Sequence, residues 1–157
     1  MKRRAKPGPV GAAENVLGLV HVLSSLIGRA FYGEIAVRHR ISLPEWRVLI
    51  TLANRPGTSG AEIVERWAMQ PMMASRAIRQ LKRRGWIERK VKAQDRRSYA
   101  LWLTERGSAA LRRAGPHAGR RYQQLVGTLS GRELAALQRA LLKLTVRAKQ
   151  LAEGRGR

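Results

Sequence analysis

The feature that most constrains the fold is a change from helical to β-type hydrophobic spacing at Gly85. Apolar residues at helical spacing predict a helix over residues 71–84, and Gly85 suits the left-handed position after a helix end. Residues 86–91 and 98–103 are rich in β-branched, aromatic and alternating apolar side chains, and they flank the polar residues 92–97. The segment therefore predicts a helix followed by a β-hairpin with a charged tip.

Capping signals predict where the other helices begin. A serine followed three residues later by glutamate can cap a helix reciprocally, and Thr104 can cap another. The serine pairs are Ser42 with Glu45, Ser59 with Glu62, and Ser130 with Glu133. With the apolar periodicity, these signals predict helices over residues 13–38, 44–53, 60–67 and 104–126, the last bent near Pro116, and a final helix after residue 130.

The charge of the chain indicates which class of partner it binds. There are 32 Lys and Arg residues against 10 Asp and Glu, a formal net charge of +22, which selects polyanions. Ten of the basic residues lie between Arg76 and Arg97, where the helix and hairpin are predicted. No apolar run is expected to approach the ~20 residues that cross a bilayer, and no segment pairs a basic stripe with a wide apolar face. We therefore expect nucleic acid rather than a membrane as the partner, and a cytoplasmic location.

Several classes of chemistry find no support in the residues. The chain has no cysteine, which excludes disulfides, zinc ribbons and thiol nucleophiles. The three histidines, His21, His39 and His117, are widely separated and lack a repeated ligand spacing, so no metal site is expected. No catalytic triad, phosphate-binding glycine loop or close carboxylate pair occurs in a plausible context. We expect neither enzymatic activity nor a cofactor.

The ordered elements predict a mainly α fold with a small β-hairpin wing. Its centre is a winged helix-turn-helix, flanked by N- and C-terminal dimerisation helices. The last helix carries apolar residues at alternating spacings of three and four, which require another helix against them; they are Leu134, Leu137, Leu141, Leu144, Ala148 and Leu151. The expected division is a flexible basic arm (1–12), dimerisation helices (13–40 and 108–152), a DNA-binding lobe (41–107) and a basic tail (153–157).

Five sequence motifs, taken in order, resemble the MarR family of bacterial transcriptional regulators. They are Leu43-Pro44-Glu45-Trp46-Arg47-Val48-Leu49, Ser75-Arg76, the run from Leu81 to Gly85, Asp95-Arg96-Arg97, and Leu103-Thr104-Glu105-Arg106-Gly107. The resemblance covers residues 17–151. It implies a homodimer whose two winged lobes read the halves of a pseudo-palindromic operator.

The helix over residues 71–84 supplies the first candidates for reading DNA. Helical spacing predicts one polar stripe on it, and Ser75 and Arg76 there match base edges, Arg76 guanine in particular. The alternative is a solvated basic face. A wing tip with Arg96 and Arg97 suits a narrow minor groove, and the resemblance implies that Arg97 enters it while Asp95 orients an arginine. The full candidate set is Ser59, Gln70, Met72, Ser75, Arg76, Arg79, Lys92, Asp95, Arg96 and Arg97.

A ligand site is the last expectation. His21 and Ser25 share a stripe of small and polar residues on the first helix. The resemblance implies a small aromatic or heteroaromatic carboxylate or phenolic effector near the start of the second helix, where Trp46 could stack and Arg47 could pair with a carboxylate. The alternative is that His21 is a helix-interface residue and Trp46 a core residue. The sequence thus predicts a ligand-responsive repressor, the alternative being a non-specific nucleic-acid-binding or architectural protein.

Overall fold

The computed structural model describes residues 16–92 and 95–154, with all side chains in these ranges except those of residues 30–32 and 92–98. The elements, in chain order, are α1 (Val16–His39), α2 (Leu43–Asn54), α3 (Gly60–Trp67), α4 (Pro71–Arg83), β1 (Ile87–Lys92), β2 (Asp95–Leu103), α5 (Glu105–Val126) and α6 (Gly131–Glu153). The predicted fold class, mainly α with a hairpin wing, is confirmed. The predicted arm (1–12) and the end of the predicted tail lie outside the described residues.

The described part of the chain forms two compact units, which divide between residues 118 and 119. In the first unit, side chains from α2, α3, α4 and both strands form a hydrophobic core, together with residues of α1, of α5 and of the α1–α2 connection. Leu49, Ile63 and Leu81 are completely buried in this core. Burial of such a side chain stabilises the fold by about 1.5–3 kcal/mol, so the core holds α4 firmly against α2 and α3.

All three predicted capping boxes are present. In each, the serine hydroxyl accepts a hydrogen bond from the glutamate N–H, and the glutamate carboxylate accepts one from the serine N–H. In the box at α2, Glu45 Oε2 accepts from Ser42 N at 2.8 Å and from Ser42 Oγ at 2.7 Å. Thr104 caps α5 through one of these two bonds, since its hydroxyl accepts from Gly107 N at 3.1 Å and glycine has no side chain to return the other. These local bonds satisfy N–H groups that a helix start otherwise leaves without partners.

The turn after α4 has the predicted left-handed glycine. Gly85 has φ of +65°. Gly85 N donates to Lys82 O at 2.8 Å and Trp86 N donates to Leu81 O at 3.0 Å. This pair of bonds is the Schellman arrangement, which closes the helix and turns the chain directly into β1.

The hairpin is longer than the sequence predicted. Its ladder continues to the pair Lys92 and Asp95, with an irregularity between Val91 and Lys92, so the expectation that residues 92–97 all form the tip is wrong. Backbone pairing in a two-stranded ribbon does not need apolar side chains, so the change to polar residues did not end the strands. At its base the hairpin is joined to the α2–α3 connection, because Leu101 N donates to Thr58 O at 3.0 Å and Leu101 O accepts from Gly57 N at 2.9 Å.

The first helix leaves its apolar stripe uncovered. Leu19, Leu23 and Leu26 are 58%, 44% and 48% exposed. The expectation that no stretch approaches membrane-spanning length is wrong for α1, which is long and apolar enough by length and composition alone, with a mean hydropathy of 1.4. Its two serines and His21 interrupt the apolar run, but the mean hydropathy stays as high as that of a membrane-spanning helix. A helix that packs against another protein surface has the same composition, so hydropathy does not identify what covers α1.

The second unit contains the predicted leucine seam. None of the residues of α6 is buried. Leu137, Leu141 and Leu144 on its seam are 41%, 39% and 45% exposed. Helix α5 runs through Pro116 as one continuous helix, and the predicted bend there stays a prediction. The seam of α6 is therefore available to a further helix.

Candidate nucleic-acid interface

Helix α4 has one buried face and one basic, exposed face. Ala74, Ala77 and Leu81 face the core and are at most 4% exposed. Met72 on the other side is 80% exposed. The remaining exposed residues of that stripe are Ser75, Arg76, Arg79 and Arg83. Since the core fixes the buried face, the stripe projects outward from a rigid support, which a helix that enters a major groove requires.

Two side chains of the stripe are held together. Arg79 Nη1 donates a hydrogen bond to Ser75 Oγ at 2.9 Å, one helical turn away. This bond restricts the Arg79 guanidinium and leaves the Ser75 hydroxyl able to donate to a base or phosphate. A shallow depression of about 550 Å³ follows the same face; it is lined by Arg76, Arg79, Gln80, Lys82 and Arg83. The face thus concentrates guanidinium and ammonium donors suited to a polyanion.

Two predicted DNA contacts, Ser59 and Gln70, lie at helix starts, and only the Ser59 side chain makes a capping hydrogen bond there. Ser59 caps α3, with its hydroxyl accepting from Glu62 N at 3.3 Å. Gln70 stands at the start of α4, is exposed, and makes no side-chain capping bond. Its amide can therefore reach outward, whereas Ser59 can add only the donation of its hydroxyl hydrogen.

A groove of about 960 Å³ separates α3 and α4 from the hairpin. Basic side chains reach it from two elements, Arg79 and Lys82 from α4 and Arg89 from β1. Arg89 stacks on Tyr99, with Cζ 3.2 Å from the ring centroid. Sequence reasoning missed Arg89 and Tyr99, since their contact depends on the strand register, which pairs Arg89 with Leu101 and Tyr99 with Val91. The stacking holds one more cation beside α4.

The predicted wing-tip residues stand where the hairpin turns. Lys92 ends β1 and pairs with Asp95, the first residue of β2, and Arg96 and Arg97 follow it. The side chains of these four residues lie outside the described part of the chain. The roles expected for them, a groove cation at Arg97 and its buttress at Asp95, remain predictions.

The four residues predicted to bind a ligand occupy different surroundings. His21 and Ser25 are exposed on α1. Trp46 is 6% exposed and belongs to the core cluster, which favours the alternative that it is a core residue. The Arg47 guanidinium lies 5.3 Å from the Trp67 ring centroid, and its buried Nε has no hydrogen-bond partner among the described residues. Their assignment to one ligand site remains a prediction.

A pair of histidines lies close together where α1 ends. The ring centroids of His39 and His117 are 5.1 Å apart, and His39 Nε2 and His117 Nδ1 are buried without a partner among the described residues. Burial lowers the pKa of His39, and the charges of His117, Arg38 and Arg113 lower it further. In the part of the chain that the structure describes, no three His, Cys, Asp or Glu side chains are grouped as metal ligands.

Comparison with protein families and curated proteins locates a match over the lobe just described. Residues 41–99 match the model of the MarR family. The transcriptional repressor MprA of Escherichia coli K12 is 38% identical over 80 residues. That alignment covers 51% of this chain and 46% of MprA, so the chain spans about half the length of this curated relative.

Solved structures with the same fold cover most of the chain. A MarR/EmrR family transcriptional regulator from Acinetobacter sp. ADP1 has a TM-score of 0.79 at 24% identity, covering 85% of this chain and 94% of that one. MepR of S. aureus, solved as a DNA complex, has a TM-score of 0.75 at 20% identity, covering 85% and 96%. BpsR of Bordetella bronchiseptica, whose DNA binding is regulated by 6-hydroxynicotinic acid, has a TM-score of 0.75 at 23% identity, covering 88% and 98%.

Proposed function

Because the chain belongs to the MarR family, we propose that it is a transcriptional regulator that binds double-stranded DNA as a homodimer. The observation that carries this proposal is the exposed basic face of α4, which is opposite a buried face and beside a hairpin. MprA is named as a transcriptional repressor and the Acinetobacter protein as a transcriptional regulator, which supports the expectation from the sequence that this chain is not an enzyme. Binding to chromosomal DNA would place the protein in the bacterial cytoplasm.

In the proposed complex α4 enters the major groove and the hairpin follows the adjacent minor groove. Arg76 reads guanine through its forked donors, and Ser75, Arg79 and Met72 contact neighbouring base edges or phosphates. Arg97 enters the minor groove with Asp95 as its buttress. The remaining predicted contacts, to the phosphate backbone, come from Ser59, Gln70, Lys92 and Arg96. Phosphate contacts of this kind position the protein, whereas Arg76 would specify sequence.

The proposed dimer is supported by apolar surface that a monomer leaves in water. The stripes of α1 and α6 both expose leucines. Contiguous exposed apolar surface of this kind marks protein interfaces. We assign residues 13–40 and 108–152 to dimerisation and residues 41–107 to DNA binding. Sedimentation at micromolar concentration should give about twice 17.6 kDa, and a folded monomer would contradict the two-fold arrangement.

Selection of bound fragments from random DNA at physiological salt tests the function. A regulator enriches one pseudo-palindromic sequence, whereas the second candidate, a non-specific or architectural protein favoured by the net charge of +22, binds all fragments with steep salt dependence. Arg76→Ala should then cost ~1–3 kcal/mol and relax preference at one position of each half-site. Arg97→Ala should weaken binding mainly at A·T-rich flanks.

A matched control separates base reading from loss of charge. Arg112 is exposed on α5, pairs with Glu105 at 2.9 Å, and does not belong to the residues that line the basic face of α4. Arg112→Ala removes the same charge as Arg76→Ala and should leave sequence preference unchanged. Equal losses for selected and random DNA in Arg76→Ala would identify a phosphate contact and contradict the assignment.

The finer proposal is that the protein is a repressor released by a small aromatic or heteroaromatic acid. The BpsR structure concerns regulation by such an acid, and a chain of net charge +22 attracts small anions. His21 and Ser25 would bind polar substituents of the acid, near Trp46 and Arg47. Titration calorimetry of aromatic acids should show binding that is weakened in His21→Ala, with normal DNA binding when ligand is absent. Equal acid affinity in the variant would remove His21 from the site.

A further inference from the structure

The turn of residues 84–86, which follows α4, is bonded to the start of α5. Gly85 O accepts a hydrogen bond from Thr104 Oγ1 at 2.7 Å. Trp86 O accepts one from Thr104 N at 3.0 Å. A Cβ placed on Gly107 would lie 1.9 Å from Trp86 O, so the backbones of the turn and of α5 are in close contact. The end of α4 is thus fixed to α5 through backbone groups.

Arg84 connects the same turn to the other side of the lobe. Its Nη1 donates to Arg40 O at 2.5 Å, in the connection between α1 and α2. Its Nη2 lies 3.7 Å from Glu45 Oε1, in the first turn of α2. Its Cζ lies 4.9 Å from the centroid of the Trp86 ring. One guanidinium therefore contacts the start of the α1–α2 connection, α2 and the residue that precedes the hairpin.

The carboxylate of Glu45 is divided between two tasks. Its side chain is 6% exposed. Oε2 accepts from Ser42 N and Ser42 Oγ in the capping box, and Oε1 faces Arg84. A buried carboxylate needs a partner for each oxygen, and a planar guanidinium can serve a carboxylate and a carbonyl at once, whereas an ammonium is a single point charge. Arginine is therefore suited to this position in a way that lysine is not.

Arg40, whose carbonyl accepts the hydrogen bond from Arg84, has an unusual backbone conformation. Arg40 has φ of +52°, a left-handed conformation that residues with a Cβ rarely adopt. It lies directly between the end of α1 and the fully buried Ile41. The direction in which α1 leaves the lobe depends on this conformation, and the Arg40 carbonyl is the group that Arg84 binds.

We propose that Arg84 is a positioning residue that fixes the angle between α4 and α1, and so sets the spacing of the two α4 helices in the dimer. The spacing in the dimer rests on the proposed function, whereas the angle between α4 and α1 does not. Arg84 differs in this from the basic residues of the exposed stripe, because its guanidinium is directed to groups within the lobe. Besides the packing of Ile35 and Ile41 in the shared core, this side chain gives a change at α1 a polar route to α4.

Distance measurements without DNA test whether Arg84 fixes the angle between α4 and α1. The chain has no cysteine, so Val37→Cys and Met72→Cys, at positions 84% and 80% exposed on α1 and α4, accept two spin labels. Double electron–electron resonance on labelled chains diluted with unlabelled protein then measures the distance between positions 37 and 72 of one chain. We expect a narrow distribution in the wild type and in the control Arg112→Met, and a broad one in Arg84→Met. Arg84→Lys, which keeps the charge, should be intermediate and guards against general unfolding. A wild-type width in Arg84→Met would overturn the proposal.

Operator spacing tests whether Arg84 sets the spacing in the dimer. The ratio of affinities for the preferred operator and for one with an added base pair between half-sites should fall by about tenfold in Arg84→Met. Affinity for a single half-site should change little. Glu45→Gln should lower the same ratio, and the double variant should be no worse than Arg84→Met alone. A broad distance distribution with unchanged spacing preference would overturn the proposal. Absence of any preferred operator in the wild type would instead refute the proposed function, and the distance measurement would still decide the role of Arg84.

Discussion

Because α5 lies so close to the turn of residues 84–86, we expect Gly107→Ala to destabilise the protein, although the same substitution inside a helix is usually stabilising. Replacing glycine by alanine inside a helix normally stabilises a protein by about 0.5–1 kcal/mol. At Gly107 the added Cβ would lie 1.9 Å from Trp86 O and 2.8 Å from Trp86 C. Carbon and oxygen atoms in proteins approach to about 3.3 Å, so the two backbones would have to separate by roughly 1.4 Å. Neither partner is the end of a flexible side chain, so neither can yield easily.

The cost follows from the bonds that such a separation would break. Thr104 N to Trp86 O and Thr104 Oγ1 to Gly85 O join the two backbones at 3.0 and 2.7 Å. Loss of both costs about 1–3 kcal/mol, and overpacking typically costs another 1–3 kcal/mol. After the helical gain is subtracted, Gly107→Ala should lower the free energy of unfolding by about 1–5 kcal/mol. This is a large part of the ~5–15 kcal/mol that stabilises a domain.

Gly119 provides the matched control in the same helix. A Cβ added there meets no atom within 4 Å. Gly119→Ala should therefore raise the free energy of unfolding by about 0.5–1 kcal/mol. Urea unfolding followed by circular dichroism, at one fixed protein concentration because a dimer is stabilised by mass action, measures both variants. Gly107→Ala as stable as the wild type would refute the close-contact argument.

Two further predictions concern buried polar groups. The pKa of His39 is lowered below its ordinary value of 6.5, first by burial and then by His117, Arg38 and Arg113. The folded state therefore binds fewer protons than the unfolded state at mildly acidic pH. As a result, the free energy of unfolding should fall as pH drops through 6.5 towards the folded-state pKa. His39→Gln should flatten that pH dependence in urea unfolding, and an unchanged slope would contradict this account. Thr51→Val leaves Trp67 Nε1, which donates to Thr51 Oγ1 at 2.8 Å, without its partner, and should lower the melting temperature by the equivalent of ~1 kcal/mol. Thr145→Val, which loses only a bond to the preceding helical turn, should be near neutral, and equal effects of both would count against the tryptophan contact.

Local signals explain how much of the fold could be predicted from the sequence. Each capping box and the left-handed Gly85 depend on residues within one turn of one another, and the starts of α2, α3, α5 and α6, where a cap was predicted, lie within one residue of those observed. Contacts between residues far apart in the sequence were not predicted. Glu45 and Arg84 meet across the lobe, and Arg89 finds Tyr99 through the strand register. No period or motif encodes either contact, since both arise from how the elements pack.

Two arginine residues, one on α4 and one in the turn that follows it, show why charge alone could not assign the candidate site. Arg79 and Arg84 belong to the same basic segment. The structure directs Arg79 to the exposed stripe and Arg84 to Arg40 and Glu45 within the lobe. An alanine scan of affinity at one salt concentration would therefore report a loss for both and suggest two DNA contacts.

Salt dependence distinguishes the two arginines. A phosphate contact releases counterions, so its loss makes the slope of log affinity against log salt less steep by about 0.9 for each contact. Arg79→Ala should change the slope by that amount if Arg79 contacts phosphate. Arg84→Ala should lower affinity for the operator while the slope stays near the wild-type value, because its guanidinium neutralises Glu45 and no phosphate. Measurements between about 50 and 200 mM salt cover the range in which such slopes are resolved. A slope change of about 0.9 in Arg84→Ala would mean that its side chain leaves Glu45 for the DNA, and the positioning role would then be wrong.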